Sequence, residues 1–235
     1  MKKRVLAILI LLIAFNINAQ QDPQYTQYMY NMNVINPAYA GSGDGASFGI
    51  LYRDQWEGLE GAPKTATMNV HFPAGRNVGL GFSAISDEIG PVSETNLYVD
   101  FSYTLNFSND NRLAFGVKAG GTFHDVGLID LSLIDPNDPF FANDINENTP
   151  NVGAGIYFYK PNNYYISVSV PNILESVHLD NNDFNIGSET RHIFAAAGYV
   201  FDINENFKFK PHTFVKYASQ TPISLDLNAN LLCMI

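Results

Sequence analysis

Cysteine is almost missing from this chain: Cys233 stands alone, so no internal disulfide can form, and no Cys/His pair has the spacing of a zinc site. After the first twenty residues there is also no run of about 18 consecutive apolar residues, which excludes a membrane-spanning helix. Positive charge is scarce, with 13 Lys and Arg against 23 Asp and Glu and a formal net charge of −10. Nucleic acid is therefore excluded as a partner, because phosphate binding needs a basic face. Catalytic motifs are lacking as well: there is no G-x-S-x-G elbow, H-E-x-x-H pair or P-loop. His71, His124, His178, His192 and His212 lie far apart, so neither a metal nor a cofactor nor an enzyme is expected.

What is present begins with a leader. Lys2, Lys3 and Arg4 precede an apolar run over residues 5–15 and a small residue, Ala19, which predicts a secretory signal peptide over residues 1–19. Its removal would take the net charge to −13. The next stretch, "QYTQYMYNMNVINPAYAG" at 24–41, is rich in Tyr, Asn and Met and carries no charge. Tyr25, Tyr28, Met29 and Met32 stand at i, i+3, i+4 and i+7, the spacing of one helical face. Asp22 suits the cap, Pro23 the first turn, and Asn36-Pro37 the stop. Residues 20–44 therefore read as a short amphipathic helix and turn, serving as a plug or a docking segment, with Tyr25, Tyr28, Met29, Tyr30, Met32, Asn36, Pro37 and Tyr39 as its candidate residues.

From residue 45 to 235 the period is two. Apolar residues alternate in ten runs, such as Phe48, Ile50 and Tyr52, or Leu97, Val99, Phe101, Tyr103 and Leu105. The reverse face reads as polar or empty, with glycines among its small residues that favour close approach by a backbone. His71, Asp100, Lys118, Lys208, Lys210, Lys216 and Asp226 are the lumen-facing candidates if the sheet closes on itself.

Such a pattern fits either a soluble β-sandwich with its apolar face inward or a transmembrane barrel with that face toward lipid. Connections help to decide. Those near 73–76, 106–111, 160–163 and 202–206 are short, whereas those near 54–64, 86–94, 124–150 and 172–190 are longer, as in a barrel with periplasmic turns and outer loops. Aromatic rings at Phe72, Tyr103, Phe158, Tyr164, Tyr199, Phe201 and Phe207 flank the short turns, the expected place for a membrane–water girdle. The expected fold is all-β: an antiparallel transmembrane outer-membrane β-barrel, ten strands of a probable fourteen, with a short amino-terminal helix. Pro211 sits inside one strand and calls for a bulge. Two Asp/Asn-rich outer loops, 135–148 and 180–189, offer oxygen donors but not the Gly and Glu placement of an EF-hand, and read as solvated.

The run "DPQYTQYMYNMNVINPAYAG" followed by "ASFGILYRDQW" resembles the amino-terminal signature of the PorP/SprF family, outer-membrane proteins of the type IX secretion and gliding machinery. The resemblance continues through "GAPKTATMNVHFP", "NVGLGFSAISDEIGPVSETNLYVDFSYTL", "RLAFGVKAGG" and "PISLDLNANLL". It implies a barrel in contact with outer-membrane lipid, with periplasmic ring or peptidoglycan-binding components of that system, and with a secreted adhesin. It also implies about four further strands beyond "LLCMI", hence a shortened chain. A channel for small hydrophobic or anionic solutes, resembling a fatty-acid transporter, is the alternative that the lumen lysines raise.

Overall fold

The computed structural model describes residues 31–128, 144–174, 177–181, 184–188, 191–219 and 221–233. The predicted leader and Tyr25, Tyr28, Met29 and Tyr30 lie outside these residues. The chain enters through a single helical turn, α1 (Met32–Ile35), and a 3-10 turn (Pro37–Tyr39), the break falling at Asn36 as the Asn-Pro pair dictates. An antiparallel meander follows: β1 (Ser47–Asp54), β2 (Lys64–Pro73), β3 (Val78–Ile89), β4 (Val92–Asn106), β5 (Arg112–Val126), β6 (Ile145–Lys160) and β7 (Tyr164–Val170). The small hairpin of β8 (Val177–Asn181) and β9 (Phe184–Ser188) stands apart. The main sheet resumes with β10 (His192–Tyr199), β11 (Phe201–Asp202), β12 (Phe207–Ala218) and β13 (Ser224–Cys233). Each long strand pairs with its neighbour, and β1 and β13 form the two edges, with no pairing between them among the described residues.

Burial in this sheet is inverted relative to a soluble protein. Phe48, Ile50 and Leu227 are 67%, 69% and 76% exposed, while Asp100 and Lys118 on the reverse face are 0% and 2%. Along β4 the large apolar residues Leu97, Val99, Phe101, Tyr103 and Leu105 are all exposed, whereas Asn96, Asp100 and Ser102 are buried. An apolar surface continuous over so many strands far exceeds the few hundred Å² tolerated in water, and hydrocarbon is the solvent that removes its cost. Those five residues span nine positions, close to the nine to eleven needed for one tilted crossing. No helix among the described residues is long and apolar enough to cross a membrane, so the strands do the crossing. Tyr164 stacks on Tyr199 with ring centroids 6.4 Å apart, and Tyr199 meets Phe201 at 4.5 Å, giving the girdle beside the short turns.

Four expectations need correction. The stretch 86–94 is not a long loop: β3 and β4 pair out to Ile89↔Val92 and reverse through Gly90, whose φ of +55° suits a residue without a side chain. Likewise β5 and β6 extend to Val126↔Ile145, so the far ends of the expected loop 124–150, including 145–148 of the first candidate calcium loop, are ladder; residues 129–143 lie outside the description. Beyond the bilayer the outer face no longer needs apolar residues, so Ser86, Glu88, Ser93, Thr95 and Asp125 hide strand that hydrogen bonds continue to build.

Pro211 produces no bulge. The pairs Gly198↔His212 and Phe201↔Phe209 keep one register, and the ladder is merely interrupted opposite the proline, splitting β10 from β11. On its other edge the strand keeps its β7 register, Val200 donating its N–H to the Asn163 carbonyl at 2.6 Å, one position past Tyr199↔Tyr164. Finally, the reverse face is not uniformly polar or empty: Phe194, Phe214, Tyr157 and Tyr159 are all buried on it.

Candidate functional site

Residues 31–41 run as a strap across the polar face of the sheet, close to the end where the short turns lie, and all but Tyr39 and Gly41 are buried. The wall makes room for it through glycine. A Cβ on Gly79 would strike the Ala40 carbonyl, one on Gly116 the Ala38 nitrogen, and one on Gly155 the Asn36 side-chain oxygen. Any larger residue at these points would push the strap off the wall.

Polar bonds then fix the strap's register. Asn69 Nδ2 donates to Asn31 Oδ1 at 2.9 Å, and Asn33 Nδ2 donates to Asp100 Oδ2 at 3.1 Å. Asn36 Nδ2 donates to the Ile156 carbonyl at 3.0 Å and to Ser167 Oγ at 2.7 Å, while its Oδ1 accepts from Ala38 N at 2.9 Å. Ser102 Oγ donates to the Ala40 carbonyl at 2.6 Å, and Gly41 N–H to His71 Nδ1 at 3.2 Å. At the centre Lys118 Nζ donates to the Val34 carbonyl and lies 3.6 Å from Asp100 Oδ1. The strap supplies each member of this buried charge pair with one hydrogen bond, from Asn33 to Asp100 and from Lys118 to the Val34 carbonyl, which offsets part of the cost of taking the charges out of water.

Apolar anchors act beside these bonds. Met32 and Ile35 pack with Phe194, Ala196 and Phe214, the two rings stacked with centroids 5.5 Å apart. Ala38 packs with Ala114, Tyr157 and Tyr159. Tyr39 sets its ring edge-on to His71 at 5.2 Å and to Tyr157 at 5.3 Å, and burial raises its hydroxyl pKa above the ordinary value. It therefore stays neutral throughout the physiological range.

The structure thus brings Met32, Asn36, Pro37 and Tyr39 together with His71, Asp100 and Lys118. Lys208, Lys210, Lys216 and Asp226 are not in this set: Lys208 pairs with Asp202 at 3.0 Å, Lys210 lies over the Tyr165 ring, and Asp226 is exposed on the edge strand. Asn31, Asn33, Phe194 and Phe214 are the participants that sequence reasoning missed. For the two phenylalanines a signal existed, since each breaks the alternation of its strand by placing a ring on the otherwise polar face. Among the described residues no group of three or more His, Cys, Asp or Glu is placed to hold a metal.

Between the strap and β6, β7 and β12 remains a cavity of about 660 Å³ at the short-turn end. Tyr39, Tyr157, Tyr159, Tyr164 and Tyr165 furnish its rings, and Lys160, Lys208 and Lys210 its cations.

A meander with lipid-facing apolar side chains, a polar interior and an amino-terminal strap seated in that interior defines a transmembrane sheet of the outer-membrane barrel class. Residues 17–234 match the family described as type IX secretion system membrane protein PorP/SprF, and the chain belongs to that family. It is accordingly a membrane component of the type IX secretion system. No curated protein and no solved structure matches it.

Proposed function

We propose that this chain is a non-enzymatic outer-membrane component of the type IX machinery that helps to secrete, present or tether large surface adhesins, and that the strap end of the lumen is where periplasmic components of the system dock. The observation that carries this reading is the seating of residues 31–41 on the polar face, held to the wall by glycine contacts and a buried charge pair. An interior face occupied by the chain's own strap suits a scaffold better than a conduit. Short turns of outer-membrane barrels lie in the periplasm, which sets the strap and its cavity facing the envelope interior.

Recovery of ring components or an adhesin with a tagged protein from envelope extracts is the expected result; recovery of neither would sink the proposal. Orientation has a test of its own. Cys233 is exposed and pairs in register with Phe207, beside the short turn at 203–206. A membrane-impermeant maleimide should leave it unlabelled in intact cells and label it once the outer membrane is opened.

The second reading, a passive channel for anionic solutes, is favoured by Lys208 and Lys210 beside the open cavity. Conductance in planar bilayers that drops when both become Gln would support it over the scaffold.

A further inference from the structure

We propose that the cavity at the short-turn end is a binding site for a short, extended, carboxylate-bearing peptide segment of a periplasmic partner. This rests on the docking reading above, and it names the chemistry that the partner would present there.

Size is the first argument. About 660 Å³ falls within the range of clefts that enclose a small ligand rather than skirt it. Shape is the second. Tyr157 stacks on Tyr159 with centroids 4.6 Å apart, Tyr165 lies 5.9 Å from Tyr157, and Tyr39 closes the set from the strap side. Rings locked against one another form a preorganised apolar floor whose ordering costs little on binding.

Charge is the third argument. Lys160, Lys208 and Lys210 all line the cavity, whereas Asp44 is its one acidic lining residue among those described. In a chain of net charge −10, three ammonium groups around one cavity are a local reversal of sign. Lys208 already has a carboxylate, Asp202, at 3.0 Å. Lys210 instead rests over the Tyr165 ring, 5.6 Å from its centroid, in a half-buried setting where an incoming carboxylate would be poorly screened. Complementarity therefore calls for an anion.

The polar lining separates a peptide from an acyl chain. Asn162 and Asn163 place amide donors and acceptors along the cavity, and a hydrocarbon tail would cover them without bonding to them. Backbone amides of an extended peptide would satisfy them while its carboxylates meet Lys160 and Lys210.

The full chain, purified in detergent, is titrated with a fluorescein-labelled Pro-Asp-Tyr-Glu-Pro peptide and with its Asn/Gln counterpart, and anisotropy is read at low and high salt. We expect the acidic peptide to bind at least about tenfold more tightly than the neutral one, with the difference shrinking as salt rises. Lys210→Glu should abolish the preference, Lys210→Arg should keep it, and Lys64→Glu, exposed at the opposite end of β2, should leave it intact. Lys160→Glu, at the edge of a turn, repeats the test should Lys210→Glu fail to fold. Equal binding of the two peptides, no binding of either, or displacement by laurate of a probe that prefers no charge would each overturn the assignment, the last in favour of an acyl site. Capture of machinery components by both wild type and Lys210→Glu would leave the docking role standing and remove this site from it. Binding of the acidic peptide without any capture would do the reverse.

Discussion

Two stretches of one polar face have opposite characters. Across β2 to β6 the wall narrows to glycine where the strap's backbone lies on it, at Gly79 and Gly116, and Asp100, Ser102, Lys118 and His71 bond to strap carbonyls and amides. Toward β7 and β12 the same face carries Tyr165, Lys208 and Lys210, and a cavity is left instead. Small wall residues buy close contact; large amphipathic ones hold the strap off and leave polar tips available. One lumen thus contains a closed joint and an open seat, and substitutions should respond according to which of the two they fall in.

The closed joint is broken most severely at its charge pair. Lys118→Met removes the cation but leaves Asp100 buried with only Asn33 to satisfy it, a loss of about 3–5 kcal/mol. Urea unfolding in lipid vesicles should show this, and Asp100→Leu combined with Lys118→Met should recover most of it. Were the single variant neutral, the strap would not be held to the wall through this pair. One residue earlier the side chain points the other way. Val117 is 57% exposed on the lipid side, so Val117→Arg should cost about 2–4 kcal/mol near the bilayer midplane through desolvation of the cation. A neutral result in vesicles would place that face against protein or water instead of lipid.

Gly116 completes the sequence with a third mechanism. Its Cβ would collide with the strap backbone at Ala38, so Gly116→Ala should cost about 1–3 kcal/mol as overpacking and should make residues 31–41 cleavable by added protease. Gly45→Ala, where an added Cβ meets nothing within 4 Å, is the matched control. Three consecutive residues of β5 would thereby report on strap chemistry, lipid and steric fit in turn.

How much of this could be read from sequence depends on which solvent each residue faces. The ten alternating runs were legible because lipid on one side and a polar interior on the other force a strict period of two, as in Leu97 to Leu105. Strand beyond the bilayer was hidden, since Glu88 and Ser93 pair in the ladder on the outer face without meeting hydrocarbon that would demand apolar residues. Asn36-Pro37 announced the end of the helical turn by local backbone sterics alone. That Asn36 would spend its amide on Ile156 and Ser167, 120 and 131 residues away, is a tertiary fact with no local signature. The glycines of the reverse face hinted at close backbone approach, yet which ones receive the strap depends on register, and register is set by pairing across the whole meander. Pro211 misled for a related reason: the strand accommodates it by losing two successive pairings rather than by inserting a residue, and both outcomes look alike in one dimension.

The smallest effect sharpens the comparison most. Lys118 and Lys210 are both lysines of the polar face, both placed there by the same alternation, and the sequence offers no reason to rank them. Lys118 is 2% exposed and bonded to Val34, whereas Lys210 is half-buried and its ammonium contributes a cation–π contact with Tyr165, worth about 0.5–1 kcal/mol. Lys210→Gln should therefore shift unfolding in vesicles by no more than about 1 kcal/mol, several-fold less than Lys118→Met. A loss at Lys210 as large as that at Lys118 would mean that its ammonium is held as tightly as the strap's own cation, and the open seat would then be a second closed joint.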